Sequence, residues 1–138
     1  MICVELLCNI NQSVRFINVS VSENVYVILK FDSICKIRVS AHSLNIETDR
    51  YKNIIRSEIK CTNCSKGDIE DEKHFIVDCP LYENIRVKFV DKVIDLCPNF
   101  RYMDTSSKFV WLFTNDHEQV LKNLDTFIEE CFLLRGHN

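Results

Sequence analysis

Gly67, Gly136, Pro80 and Pro98 are the only glycines and prolines in this 138-residue chain. Average usage over this length would supply roughly 16 of them. The tight turns of β-sandwiches and barrels depend on glycine and proline for backbone torsions that other residues adopt poorly. Dinucleotide fingerprints and phosphate-cradling loops need several glycines close together, and Gly67 and Gly136 supply neither. The sequence therefore predicts a mainly α, small helical domain formed by residues 1–138 as one unit.

Composition supports a packed core. Apolar residues make up 46% of the chain, against the apolar-poor composition of disordered tails. A chain this long buries about two-thirds of its surface on folding. The net charge of −3 excludes a nucleic-acid binder driven by bulk positive charge. Eight cysteines form a disulfide framework only in a secretory context. The start, Met1-Ile-Cys-Val-Glu-Leu-Leu-Cys8, has no basic region, and Glu5 breaks its apolar run. We read no signal peptide there, and no stretch has the length of an apolar membrane span. The expectation is an intracellular protein, nuclear or cytoplasmic and not secreted, in a reducing compartment where clustered cysteines bind metal.

The chain divides by pattern into an N-terminal segment (1–30), a helix with a basic connector (31–60), a cysteine-rich module (61–80) and C-terminal helices (81–138). Residues 1–30 stay ambiguous. Alternation across 19–21 and 25–29 permits a short β-hairpin, and Ser22-Glu23 permits a helix start. Ile34, Ile37, Ala41 and Leu44 recur at helical spacing. Pro80 suits the first position of a helix whose face is Leu81, Ile85, Phe89, Val93 and Leu96, and Cys97-Pro98 ends it. Thr105-Ser-Ser107 can cap the apolar run at 109–113. Asn115 with Glu118 resembles a capping box before the apolar face Val120, Leu121, Leu124, Phe127, Ile128, Cys131 and Phe132.

The chemistry concentrates in Cys61-x2-Cys64-x9-His74-x4-Cys79. Three thiolates and one imidazole match the ligand preference of tetrahedral zinc, and the two-residue gap lets Cys61 and Cys64 reach one ion. Gly67 sits where the chain must turn. Acids at 70–72 suit a helix start, with His74 in its first turns. Five α-helical steps would carry Cys79 about 140° around the axis from His74, a poor chelate. Pro80 biases Cys79 out of the helix and lets it swing back. The competing reading is that these are buried core thiols, which are common. Cys35 and Cys131 fall on or beside apolar faces.

Arg38-Val-Ser-Ala-His-Ser-Leu-Asn-Ile-Glu-Thr-Asp-Arg-Tyr51, Cys61-Thr-Asn-Cys64, Ile69-Glu-Asp-Glu-Lys-His-Phe75 and Cys79-Pro-Leu-Tyr82 closely resemble one known segment. It is the zinc-binding C-terminal region of reverse transcriptases from LINE-type (non-LTR) retrotransposons. The likeness runs from about Arg38 to Arg86. It implies that Cys61, Cys64, His74 and Cys79 hold one Zn²⁺. It further implies a separated fragment that works beside a polymerase, on RNA or DNA. Asp49 and Ile55 stand where relatives usually carry Gly and Pro, so the connector's shape is in question.

Catalysis is not expected. Polymerase chemistry needs carboxylates that hold two metal ions, and no adjacent Asp-Asp pair occurs in the chain. His42, His117 and His137 are isolated and read as structural or solvent-facing. No small-molecule substrate is suggested. Residues 30–60 carry a local charge of +3. There Lys36, Arg38, Arg50, Lys52 and Arg56, with Tyr51 among them, have the cation-and-aromatic character that contacts phosphate and stacks on bases. The zinc loop is acidic and reads as a staple. The alternative is a helical protein-interaction module that docks on a polymerase-like partner through the apolar faces at 81–96 and 120–132.

Overall fold

The structure, a computed structural model, describes residues 31–136. The hairpin-or-helix ambiguity at 1–30 lies outside the described residues. Five α-helical segments form: α1 (Asp32–Arg38), α2 (Asn45–Thr48), α3 (Glu83–Leu96), α4 (Thr105–Thr114) and α5 (Glu118–Gly136). Short 3-10 turns occur at Asp49–Lys52, Arg56–Glu58, Pro80–Tyr82 and Pro98–Tyr102, and a π-helical turn at His74–Asp78. The mainly α expectation holds. Among the described residues no strand forms, and Lys60 and Ile69 make an isolated antiparallel bridge.

Helix α5 is the element on which α1, α3 and α4 pack. Its face is the one the periodicity predicts: Val120, Leu121, Leu124, Phe127, Ile128 and Cys131 are buried. The faces at 81–96 and 120–132 cover one another, with Phe89 stacked on Phe127 at 4.7 Å between centroids. Val87, Leu96 and Leu133 stay exposed on these two helices. On α3, Phe89 and Val93 are buried as expected, but Leu96 is exposed and Arg86 is buried. Tyr82, on the preceding turn, is buried as well. The α3 face is thus rotated toward residues 82, 86, 89 and 93.

Helix α1 is shorter than its apolar spacing predicts. Ser40 takes a left-handed backbone, φ 56°. Its N–H donates to Ile37 O (3.2 Å), and Ala41 N–H donates to Lys36 O (2.8 Å). That pair of bonds is a Schellman ending, with serine in the usual glycine position. Ala41 is consequently exposed, while Leu44 returns to the core from the next turn. The other end of α1 has no local side-chain cap. Asp125 on α5 supplies one across the interface, accepting Ile34 N–H at 3.0 Å.

Asp104 caps α4, accepting from Ser106 and Ser107 N–H at 3.0 and 3.1 Å. The cap lies one residue before the Thr-Ser-Ser run, because that run is already helical. Asn115 works backwards: its amide donates to the Trp111 and Leu112 carbonyls at the end of α4. Its oxygen accepts His117 N–H (3.1 Å) just before α5. No helix among the described residues is long and apolar enough to cross a membrane.

Candidate metal centre

Cys61 and Cys64 lie on a tight excursion of the chain. Cys61 N–H donates to Asp68 O (2.9 Å) and Glu70 N–H to Ile59 O (3.1 Å). These two bonds clamp the base of the loop, and Gly67, at φ 71°, turns it. A β-carbon on Gly67 would meet nothing within 4 Å, so the backbone torsion alone favours glycine there.

The second pair of ligands meets through the π turn. Asp71 Oδ1 accepts His74 N–H at 2.9 Å, which starts the helical segment. Cys79 N–H then donates to His74 O at 2.7 Å, a five-residue closure wider than the α-helical one. The wider turn brings the fifth residue back toward the first. Cys79 itself is extended, φ −66° and ψ 123°, as a residue before proline prefers. The expected α-helical mismatch is thus removed by the π turn and Pro80 together. Arg86 secures the arrangement from α3. It donates to Ile76 O (2.9 Å) and Cys79 O (2.7 Å) and pairs with Glu83 at 2.6 Å.

The donor atoms of Cys61, Cys64, His74 and Cys79 all lie within 4.8 Å of one another, an arrangement that can hold a metal ion. Cys61 Sγ is 3.9 Å from Cys79 Sγ, and Cys64 Sγ is 3.5 Å from His74 Nε2. The thiols are free. Burial pushes the Cys61 thiol up to about 12 and also raises Cys79. Burial lowers His74, which favours the neutral, ligating imidazole. A bound divalent cation reverses the thiol preference, because it deprotonates its thiol ligands outright. His74 Nδ1 faces Asp68 Oδ2 at 3.7 Å, the position of an outer-sphere partner.

His42, Glu47 and Glu72 form a second compact group. His42 Nδ1 accepts Leu44 N–H at 3.4 Å, which leaves the ring proton on Nε2 for Glu72 Oε1 at 3.1 Å. That tautomer makes a hydrogen-bonded pair and gives a metal no lone pair on Nε2. Burial would raise Glu72, but the bonds from His42 and its own backbone N–H hold it below the ordinary carboxylate value.

The basic residues of 36–60 do not form one patch of unpaired charge. Lys36 pairs with Asp32, Lys52 with Asp49 (2.6 Å) and Arg56 with Asp71 (3.1 Å). Arg50 contacts Glu47 (2.8 Å) and lies 5.1 Å from the Tyr51 ring centre. Arg38 is half-buried and donates to Phe113 O at 2.9 Å, which ties α1 to α4. Tyr51 is 79% exposed. The two departures from the resembled pattern cost the connector nothing. Asp49 is right-handed helical, φ −86°, and Ile55 adopts φ −65°, the torsion that a proline ring fixes.

No family model, curated protein or solved structure matches the chain. The likeness to retrotransposon reverse transcriptases therefore rests on the quoted residues alone.

Glu70 and Arg135 carry no signal in the sequence pattern. Glu70, read as a helix-start acid, is instead 1% exposed. It accepts from Asn45 N–H (2.8 Å), Asn63 Nδ2 (3.1 Å) and both terminal nitrogens of Arg135. A run of acids before a metal ligand looks like a solvated face. Only the position of α5, 65 residues further on, reveals the partner.

Proposed function

We propose that the chain is a zinc-stabilised, non-catalytic accessory module of the kind found at the C-terminal end of LINE-type reverse transcriptases. The observation that supports the zinc part of this reading is the geometry of the four donors. Zinc–sulfur bonds of about 2.3 Å and a zinc–nitrogen bond of about 2.0 Å at tetrahedral angles place two sulfurs about 3.8 Å apart and a sulfur and nitrogen about 3.5 Å apart. The observed separations are 3.9 and 3.5 Å. Four protein ligands leave no open position for substrate, the mark of a structural rather than a catalytic zinc. The ion's role is to fix the fold in which Phe75 enters the core, 4.9 Å from Tyr82 and 4.7 Å from Phe132.

Nucleic acid is the first partner considered, through Arg50, Tyr51 and Lys52 on the exposed connector. A protein-interaction role without nucleic acid is the second reading, favoured by the acid partners of Lys36, Arg50, Lys52 and Arg56. Elemental analysis tests the metal: one zinc per chain is expected, and Cys64→Ser should lose metal and helix content together. Metal-free protein with unchanged structure rejects the proposal. Titration with single-stranded RNA and DNA at several salt concentrations separates the two roles. Binding that weakens steeply with salt, and is lost in Arg50→Gln/Lys52→Gln, supports the nucleic-acid role. Absent or salt-insensitive binding leaves the protein-interaction reading.

A further inference from the structure

We propose that Glu70 and Arg135 are positioning residues of the metal centre and tie the ligand loop to α5. The inference rests on the zinc reading above. Glu70 is not a ligand: its Oε1 lies 3.7 Å from Cys61 Sγ. The same oxygen accepts from Asn63 Nδ2 at 3.1 Å, and Asn63 sits between the ligands Cys61 and Cys64. One carboxylate oxygen thus holds the loop that carries half the donor set. The other accepts Asn45 N–H at 2.8 Å and fixes the start of α2.

Charge explains why Arg135 is needed. Three thiolates and a divalent cation leave one net negative charge, and Glu70 places a second within van der Waals reach of a ligand sulfur. At 1% exposure, water does not screen it. The Arg135 guanidinium donates through both terminal nitrogens to Glu70, and one of them also reaches Asn45 Oδ1 at 3.2 Å. This forked pairing offsets the carboxylate and orients it. Without Arg135, the carboxylate stands uncompensated beside Cys61. Without Glu70, the half-buried guanidinium loses its carboxylate and keeps Asn45 Oδ1 as an acceptor.

The test is zinc affinity, measured by competition with a chromophoric chelator on the full chain. Arg135→Ala and Glu70→Gln should each retain one zinc and lose about 10- to 100-fold in affinity, as outer-sphere partners do. Glu70→Gln/Arg135→Ala should lose less than the product of the two single losses, because the second change removes the charge that the first exposed. Arg135→Lys keeps the charge and loses the fork, so its affinity should fall between wild type and Arg135→Ala. It carries the test if the alanine variant does not fold. An ion pair of purely structural role would lower melting temperature equally with and without zinc and leave affinity unmoved. That result, or losses that simply multiply, overturns the coupling while the metal reading stands. Wild-type protein that binds no zinc overturns both.

Discussion

At Ser40 the chain places a residue with a β-carbon in left-handed backbone, φ 56°. The Schellman bonds around it are intact, so the cost is local strain, of order 1–2 kcal/mol for such a residue. Ser40→Gly removes the strain and adds unfolded-chain freedom. A net gain of about 0.5–1 kcal/mol is expected, read from the midpoint of denaturant unfolding at unchanged slope; a loss would show that the serine hydroxyl contributes more than the torsion costs. The scarcity of glycine thus has a structural counterpart. Of the three left-handed positions among the described residues, Ser40, Asn53 and Gly67, one holds glycine, and it turns the loop that carries Cys61 and Cys64. The sequence shows Gly67 and Pro80 at useful places because both are punctuation. It does not show Ser40, which is unremarkable by type. Arg86 is equally hidden, as one more cation on a helix, yet it is buried and binds two carbonyls of the π turn. Arg86→Ala leaves Ile76 O without that donor. A loss of about 3 kcal/mol is expected, at the upper range for hydrogen bonds to charged groups. Arg86→Lys should recover only part of it. A loss below about 1 kcal/mol in Arg86→Ala would show that the π turn closes without it.

Among the elements, α5 and most of α3 were legible from spacing alone, since long apolar periodicity survives any tertiary context. Element ends were not. The cap of α4 is Asp104 and not Thr105-Ser-Ser107, and Asn115 closes α4 with its amide while its oxygen accepts His117 N–H ahead of α5. Adjacent polar residues compete for each cap, and backbone geometry decides between them. Asp104 also makes a pH prediction. The Ser107 hydroxyl, aided by the Ser107 and Ser106 amides, holds its carboxyl below the ordinary value. A lowered folded-state value means that the unfolded chain binds the proton first. Its contribution to stability is therefore present above the unfolded value of about 3.9 and is lost as pH falls through the lower folded value. Stability of the wild type should decline more steeply than that of Asp104→Asn as pH drops from about 5 to about 3. Parallel curves would show that the carboxylate bonds do not persist in solution. At the same scale, the π turn is the element that the sequence posed as a problem. Five α-helical steps misplace Cys79, and a single wide closure from His74 to Cys79 solves the geometry.

At the scale of the molecule, the four-donor module and the helices share one core. Phe75, one residue past a ligand, packs on Tyr82 and on Phe132 of α5. Phe89 and Phe127 form a separate stacked pair, and the buried apolar residues form one cluster from Phe31 to Cys131. Trp111 marks a different part of that core, packed 5.2 Å from Phe100 between ring centres. The two regions therefore offer independent probes. If the four donors hold a metal as proposed, cobalt loaded there reports them through its thiolate charge-transfer band, and Trp111 fluorescence reports α4. If the core is one cooperative unit, denaturant should abolish both signals at the same midpoint, coincident with loss of helix by circular dichroism. Chelation should lower the midpoint read by Trp111 fluorescence and circular dichroism together, because ion binding contributes to the stability of the whole fold. A cobalt band that disappears while Trp111 stays folded would divide the molecule in two. The ligand module would then be an appendage of a helical bundle that stands without it, and the structural role assigned to the ion would shrink to its own loop.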